Sequence, residues 1–214
     1  MVWKNQMMLG GERGFEENWD NLDAWNLNVY AIGLAHGNLD GTASVSGGRV
    51  SASSYGSGPS NEFVGPSLAY EIPDDIGDFT ISFDIEADNT DSINDRFRIG
   101  AGVANSSDPD GDCIYASFAD NTSSYECRYR VRGYDSTSLT TFESSDGSGA
   151  DNYTVNVEVS RTGSTLSITW SGSFNGSTVE SWNADKYDLI IVQFGAYNGT
   201  NAPAMSIGPI TLEY

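Results

Sequence analysis

Three carboxylates stand at alternating positions in Asp84-Ile85-Glu86-Ala87-Asp88. Alternate residues of a strand share a face, with same-face neighbours roughly 6.5 Å apart at Cα. Two carboxyls about 5–5.5 Å apart can serve as nucleophile and general acid in glycoside hydrolysis, so this run is the candidate for acid–base chemistry. The competing reading is electrostatic. A hairpin joining 79–88 to 96–103 would set Asp88 opposite Arg96 and Glu86 opposite Arg98. That cross-strand ladder, worth about 0.2–1 kcal/mol per pair, is the expected arrangement, and no enzymatic activity is expected.

A second group is cationic. Arg96, Arg98, Arg128, Arg130 and Arg132 are five of the ten basic residues, gathered in two short segments. Arginine forks grip carboxylates and acidic or sulfated sugars. Arg128 and Arg130 are therefore candidate ligand contacts, with neutralisation of neighbouring acids as the alternative. Tyr115, Trp182 and Tyr197, with Tyr55 and Tyr134, could stack on sugar rings; core packing is the alternative for each. In Asp108-Pro109-Asp110-Gly111-Asp112, oxygen ligands alternate around a glycine turn. This suits calcium, which takes about 6–8 oxygens, so Asp108, Asp110 and Asp112 are candidate metal ligands, although the full EF-hand pattern is absent. Cys113 and Cys127 flank a hairpin; a turn near Asp120 would set them opposite each other for a cross-strand disulfide, two buried thiols being the alternative. His36 has no Ser or Cys partner in view, and a catalytic triad is not expected.

These residues belong to a chain of 214 residues with 30 acidic and 10 basic side chains, a formal net charge of -20. Such a field repels nucleic acid and anionic membrane. No stretch approaches the roughly 20 apolar residues of a membrane span. A single histidine and two cysteines leave little for zinc, haem or iron–sulfur sites. The only lysines are Lys4 and Lys186. A carboxylate-rich, lysine-poor surface suits concentrated salt, where repulsion is screened to about 3 Å, and a salt-loving source is expected over an ordinary acidic secreted protein. The N-terminus shows no charged segment followed by an apolar run. Either a signal has been removed and replaced by Met1, or the protein reaches the outside by another route, such as assembly into a virus particle; a virion or extracellular location is expected. Five Asn-x-Ser/Thr sequons, at Asn105, Asn121, Asn152, Asn175 and Asn198, are close to what the composition yields by chance.

The elements that would position these groups are strands. Helix-period apolar stripes are absent, and turn clusters recur between alternating β-branched and aromatic stretches. The segment 42–52 reads as a hairpin turning at Gly47-Gly48. Strands are expected at 63–72, 79–87, 96–103, 113–119 paired with 125–132, 153–160 paired with 165–170, 189–197 and 205–214, the last with a bulge at Gly208-Pro209. The run 189–197 is nearly all apolar, as in a central strand covered on both faces. Residues 14–30 read as a short helix or an irregular wrap whose aromatics cover an edge. One sandwich domain over 14–214, preceded by an arm at 1–13 for docking or assembly, accounts for the pattern.

Several segments arrive in a familiar order: Phe15-Glu16-Glu17-Asn18-Trp19 through Trp25, Ala43-Ser44-Val45-Ser46-Gly47-Gly48-Arg49-Val50, Gly77-Asp78-Phe79-Thr80-Ile81, the hairpin 153–170, and Ile207-Gly208-Pro209-Ile210-Thr211-Leu212. This resembles the concanavalin-A-like, laminin-G-like lectin and glucanase sandwich over nearly the whole chain after residue 14. The resemblance implies an all-β jelly roll of two antiparallel sheets, often with calcium in its loops and with glycan binding as its commonest task. Such modules are frequent in viral tail and fibre proteins, where they recognise the host surface. The acids at 84–88 depart from the Glu-x-Asp-x-(x)-Glu order of the family's hydrolases. The expectation is therefore a virion surface or tail-associated structural protein of a halophile's virus. Its lectin-like module would serve host glycan attachment or assembly, with other virion proteins or a second copy as partners through the arm. The alternative is a secreted carbohydrate-binding module or glycoside hydrolase.

Overall fold

A computed structural model of the chain describes residues 14–32, 36–56, 63–74, 76–88, 97–121, 126–136, 138–146, 152–197 and 205–214. The strands are β1 Gly14–Glu17, β2 Asn26–Leu27, β3 His36–Leu39, β4 Gly41–Ser46, β5 Arg49–Tyr55, β6 Phe63–Gly65, β7 Ser67–Glu71, β8 Phe79–Asp88 and β9 Phe97–Ala104. They continue as β10 Cys113–Asn121, β11 Glu126–Asp135, β12 Ser138–Asp146, β13 Asn152–Thr162, β14 Thr165–Gly172, β15 Gly176–Glu180, β16 Leu189–Tyr197, β17 Met205–Ile207 and β18 Ile210–Glu213.

Two sheets face each other. The first runs β15-β14-β13-β8-β17-β5-β4, with β18 also on β8 and β1 on β18. The second runs β12-β11-β10-β9-β16-β6-β3, with β7 on β16 and β2 on β7. Pairing is antiparallel except for β3 beside β6. Alternation decides what faces inward. Ile81, Phe83 and Ile85 of β8 and Val155, Val157 and Val159 of β13 meet Ile99 and Val103 of β9, Phe118 of β10 and Val192 and Phe194 of β16 in one core. Each such side chain contributes about 1.5–3 kcal/mol when fully buried. The fold class is therefore the expected one, an all-β two-sheet sandwich.

A smaller apolar cluster lies on the outer side of the second sheet. Ile32, with Tyr30 beside it, packs there on Ala104, Cys113, Tyr115, Leu189 and Ile191. This explains the nearly continuous apolar run of β16: both its faces are covered.

Several expectations need correction. β8 and β9 lie in different sheets, so Glu86 and Arg98 are not cross-strand neighbours and the expected ladder does not form between these strands; Arg96 lies outside the described residues. The disulfide also fails. Cys113 stands opposite Tyr134 and Cys127 opposite Asp120, the two ends of one ladder seven residues apart along β10. A disulfide needs its Cα atoms within about 7 Å. Pro66 splits the single strand expected at 63–72 into β6 and β7. Of the two readings for residues 14–30, the structure takes the irregular wrap, with short strands β1 and β2 joined by turns. The expected arm at 1–13 lies outside the described residues.

Candidate functional site

The outer face of β9, β10 and β11 gathers the cationic residues. Ala119 stands between Arg98 and Arg128, Ser117 between Gly100 and Arg130, and Tyr115 between Gly102 and Arg132. Period-two alternation turns Phe118, Tyr129 and Val131 into the core and leaves Arg98, Arg128, Arg130 and Arg132 together outside. The Arg98 guanidinium lies over the Phe63 ring, 3.9 Å from its centroid. Arg132 donates a hydrogen bond to the Tyr115 hydroxyl. Burial, then repulsion by Arg132, Arg128 and Arg98, pushes Arg130 down to about 10. The Nε atoms of Arg130 and Arg132 are buried without a hydrogen-bond partner.

The row of Arg130 continues across the sheet through Ser117, Gly100, Gln193 and Ser67, roughly 19 Å at the usual strand spacing. Gln193 is fully buried. Its Oε1 accepts the Ile32 N–H at 3.1 Å, while its Nε2 and the Ser67 Oγ have no partner. Residues 28–32 cover the β16 end of this row, and the arginines occupy the other end.

The expected contacts are only partly brought together. Arg128 and Arg130 share the face as anticipated. Tyr115 shares it too, but it is 1% exposed and serves as floor beneath Arg132 rather than as a stacking ring. Trp182 is elsewhere: its ring packs on Phe142 at 5.9 Å between centroids and lies against Gly133, closing the core beside β12. Tyr197 ends β16 opposite Phe63, and its side chain lies outside the described residues. Phe63 and Gln193 went unrecognised in the sequence. The signal for Gln193 was a lone amide inside the apolar run of β16.

The carboxylates of β8 are engaged elsewhere. The Arg49 Nη2 lies 2.5 Å from Asp84 Oδ2 and its Nε 3.2 Å from Glu86 Oε2, and Arg49 also donates to Ser206 Oγ at 2.7 Å. One guanidinium thus ion-pairs with both acids. The ion pairing expected for these acids exists, with Arg49 as the partner. A shallow groove of about 380 Å³ runs beside them, lined by Ser82, Asn156, Glu158 and Thr169 among others.

Protein donors engage the carboxylates of the acidic loop. Asp112 Oδ1 lies 2.5 Å from Lys186 Nζ and accepts the Ser136 N–H at 2.8 Å. Its Oδ2 accepts Asn105 Nδ2 at 3.3 Å. Asp108 Oδ1 accepts the Gly111 N–H, and Asp110 is exposed. Lys186 also reaches Asp135 at 2.5 Å. This ammonium supplies positive charge beside the loop, and among the described residues no group of three candidate ligands is placed to hold a metal ion.

Burial raises the Asp112 carboxyl, but hydrogen bonds from Lys186, Ser136 and Asn105 outweigh it and hold the group below the usual carboxylate range. Burial lowers Lys186, and its bonds to Asp112 and Asp135 outweigh that and raise it. The stabilisation from Asp112 is therefore present above about pH 4 and fades as pH falls through its depressed value. That from Lys186 is present below about pH 10.4 and fades as pH rises through its elevated value. Asp112→Asn is expected to cost about 1–2 kcal/mol at pH 7, and the deficit should shrink below pH 4. Urea melts at both pH values test this; a deficit that persists in acid would refute it.

No family model matches the chain, and no curated protein matches its sequence. Solved structures do match its fold. The CBM2 module of the evolved Dit of Lactobacillus casei BL23 phage J-1 superposes with a TM-score of 0.70 at 11% identity, covering 95% of this chain and 96% of that one. A lectin from Bauhinia forficata in complex with GalNAc gives 0.51 at 14% identity over 95% and 98% of the two chains. A glycoside hydrolase family 16 endo-glucanase from Bacteroides ovatus gives 0.51 at 10% identity over 92% and 99%. Binding proteins and an enzyme are thus built on the same pair of sheets, so activity is argued from the site residues. With its two facing antiparallel sheets matched over nearly its whole length, this chain has the two-sheet sandwich fold that concanavalin-A-like lectins and glucanases share.

Proposed function

We propose that the chain is a non-hydrolytic carbohydrate-binding module, carried on the surface or tail of a virus of a salt-loving host and used for glycan attachment or particle assembly. The observation that carries this reading is the match to a phage module over 95% of this chain and 96% of that one. Binding without hydrolysis is supported by Arg49, which takes up both Asp84 and Glu86. The net charge of -20 supports a saline setting. Residues 1–13 would dock the module to a neighbouring virion protein or a second copy. No helix among the described residues is long and apolar enough to cross a membrane.

A glycan array probed with the full chain in about 1 M salt, with and without calcium, tests the reading. A defined set of bound glycans without sugar release is expected, with no calcium requirement. Sugar release abolished by Asp84→Asn with Glu86→Gln would assign a hydrolase instead. Absence of any glycan binding would leave an architectural role through residues 1–13. Virions lacking the protein should fail to adsorb to host cells.

A further inference from the structure

We propose that the ligand of the arginine face is an acidic polysaccharide whose carboxylate or sulfate oxygens are bound by Arg130 and Arg132; this rests on the carbohydrate-binding reading above. The argument begins with where the cations of this acidic chain are spent. Arg49 meets Asp84 and Glu86, and Lys186 meets Asp112 and Asp135. Arg161 donates to the carbonyls of Ile76, Gly77 and Ala184. Arg130 and Arg132 are treated differently. Arg130 is flanked in register by Ser117 and Ser144, and Arg132 by Tyr115 and Thr141. Among the described side chains the acid beside this stretch, Glu143, accepts from Ser144 and Ser145 of its own strand.

Among the described residues no carboxylate forms an ion pair with either guanidinium group, and their Nε atoms are buried without an acceptor. Gathering like charges and orphaned donors is unfavourable unless something anionic occupies the face. Every unmet nitrogen on the row is a donor, including the fully buried Gln193 Nε2. A planar guanidinium fork matches carboxylate and sulfate oxygens. A neutral sugar would leave the surplus donors and the mutual repulsion uncorrected.

The remaining charge sets how binding responds to salt. At low ionic strength the net charge of -20 opposes a polyanion over a screening length of about 30 Å, which falls to about 3 Å at 1 M. Partly buried arginine contacts are screened less than this surface field. Affinity should hold or rise with salt, opposite to a binder that works by releasing counterions from a polyanion.

The full chain is titrated against polygalacturonate, which supplies carboxylates, dextran sulfate, which supplies sulfates, and unmodified dextran. At least one acidic polymer should bind and dextran should not; which one binds identifies the oxyanion. Arg130→Gln and Arg132→Gln should each weaken binding about tenfold or more. Arg49→Gln, an equal charge change on the other sheet, should stay within about twofold. Arg130→Lys, which keeps the charge and loses the fork, should fall between. Circular dichroism and thermal melts confirm that each variant is folded. Dextran bound as tightly as the acidic polymers, a neutral glycan bound when both acidic polymers fail, or equal losses in the Arg49, Arg130 and Arg132 variants would overturn the anionic ligand while leaving carbohydrate binding standing. Failure of every glycan would remove both readings.

Discussion

Trp19→Ala is expected to lower the unfolding free energy by about 4 kcal/mol, and the melting temperature by roughly 8–16 °C in a chain of this size. The residue is only 2% exposed and is held with φ at 54°, a left-handed conformation in which a bulky side chain is uncommon. Its indole Nε1 donates to the Gly208 carbonyl at 2.5 Å, at the break between β17 and β18. Its backbone N–H donates to Glu17 Oε1 at 2.7 Å. The other oxygen of Glu17 accepts from the Trp25 indole. Trp19 packs on Trp25 with ring centroids 5.0 Å apart, Trp25 on Tyr70 at 5.7 Å, and Phe15 stacks on Tyr70 at 4.6 Å. β1 belongs to the first sheet and Tyr70 to the second, so this aromatic clasp closes one side of the sandwich. Removing Trp19 opens a large cavity and orphans a carbonyl together. Trp19→Phe keeps most of the packing and should lose only about 1–2 kcal/mol. Urea unfolding followed by far-ultraviolet circular dichroism decides the matter; a loss below 1 kcal/mol for the alanine variant would show that the clasp is dispensable.

The strands were legible because alternation is local. Phe79, Ile81, Phe83, Ile85 and Ala87 declare an inward face whatever lies next to them, and the turn glycines Gly47 and Gly48 adopt the positive φ that the hairpin reading requires. Neighbours were less legible. A hairpin and a connection that crosses between sheets leave the same alternation in the sequence. β8 was therefore set beside β9, when its partners β13, β17 and β18 come later in the chain. The disulfide expectation failed in the same way. The hairpin of β10 and β11 was recognised, but its register puts the two cysteines at opposite ends.

The site shows the same division between residue type and placement. Grouped arginines announced a cationic face. Whether each met a serine or a carboxylate depended on the β11–β12 register, which is interrupted by an irregularity at Val131 and Arg132. The lysine that pairs with the Asp-rich loop lies 74 residues from Asp112, so the local spacing that suggests a metal ligand set carries no sign of it. Trp182, an aromatic in a polar stretch, was read as a sugar platform, but its place is fixed by Phe142 and Gly133 across the sandwich.

Arg161→Met should cost about 3–5 kcal/mol, because it removes the donor from a buried set of acceptors. In β13 the inward positions run Tyr153, Val155, Val157, Val159 and then Arg161, a cation where alternation calls for an apolar residue. The side chain is 8% exposed, and its guanidinium lies 4.7 Å from the Phe79 ring centroid. Its Nε donates to the Gly77 carbonyl at 2.8 Å, its Nη2 to the Ile76 carbonyl at 2.5 Å and to Gly77, and its Nη1 to the Ala184 carbonyl at 3.4 Å. The Ile76 and Gly77 carbonyls belong to irregular chain outside any strand ladder, and that of Ala184 opens a 3-10 turn. Methionine fills much of the volume and leaves the Ile76 and Gly77 carbonyls without this donor, while the Ala184 carbonyl keeps the Tyr187 N–H. Arg161→Lys should rescue little, since one ammonium cannot span the positions that the fork reaches.

The consequences should extend beyond β13. Ala184 begins the 3-10 turn that carries Lys186, and Lys186 holds Asp112, which in turn accepts the Ser136 N–H. Loosening that turn should speed amide exchange at Ser136 before global unfolding is reached. Denaturant titration with residue-resolved hydrogen exchange reads both effects. Full rescue by lysine would show that charge alone is required there. Unchanged exchange at Ser136 would show that the turn and the acidic loop are held independently.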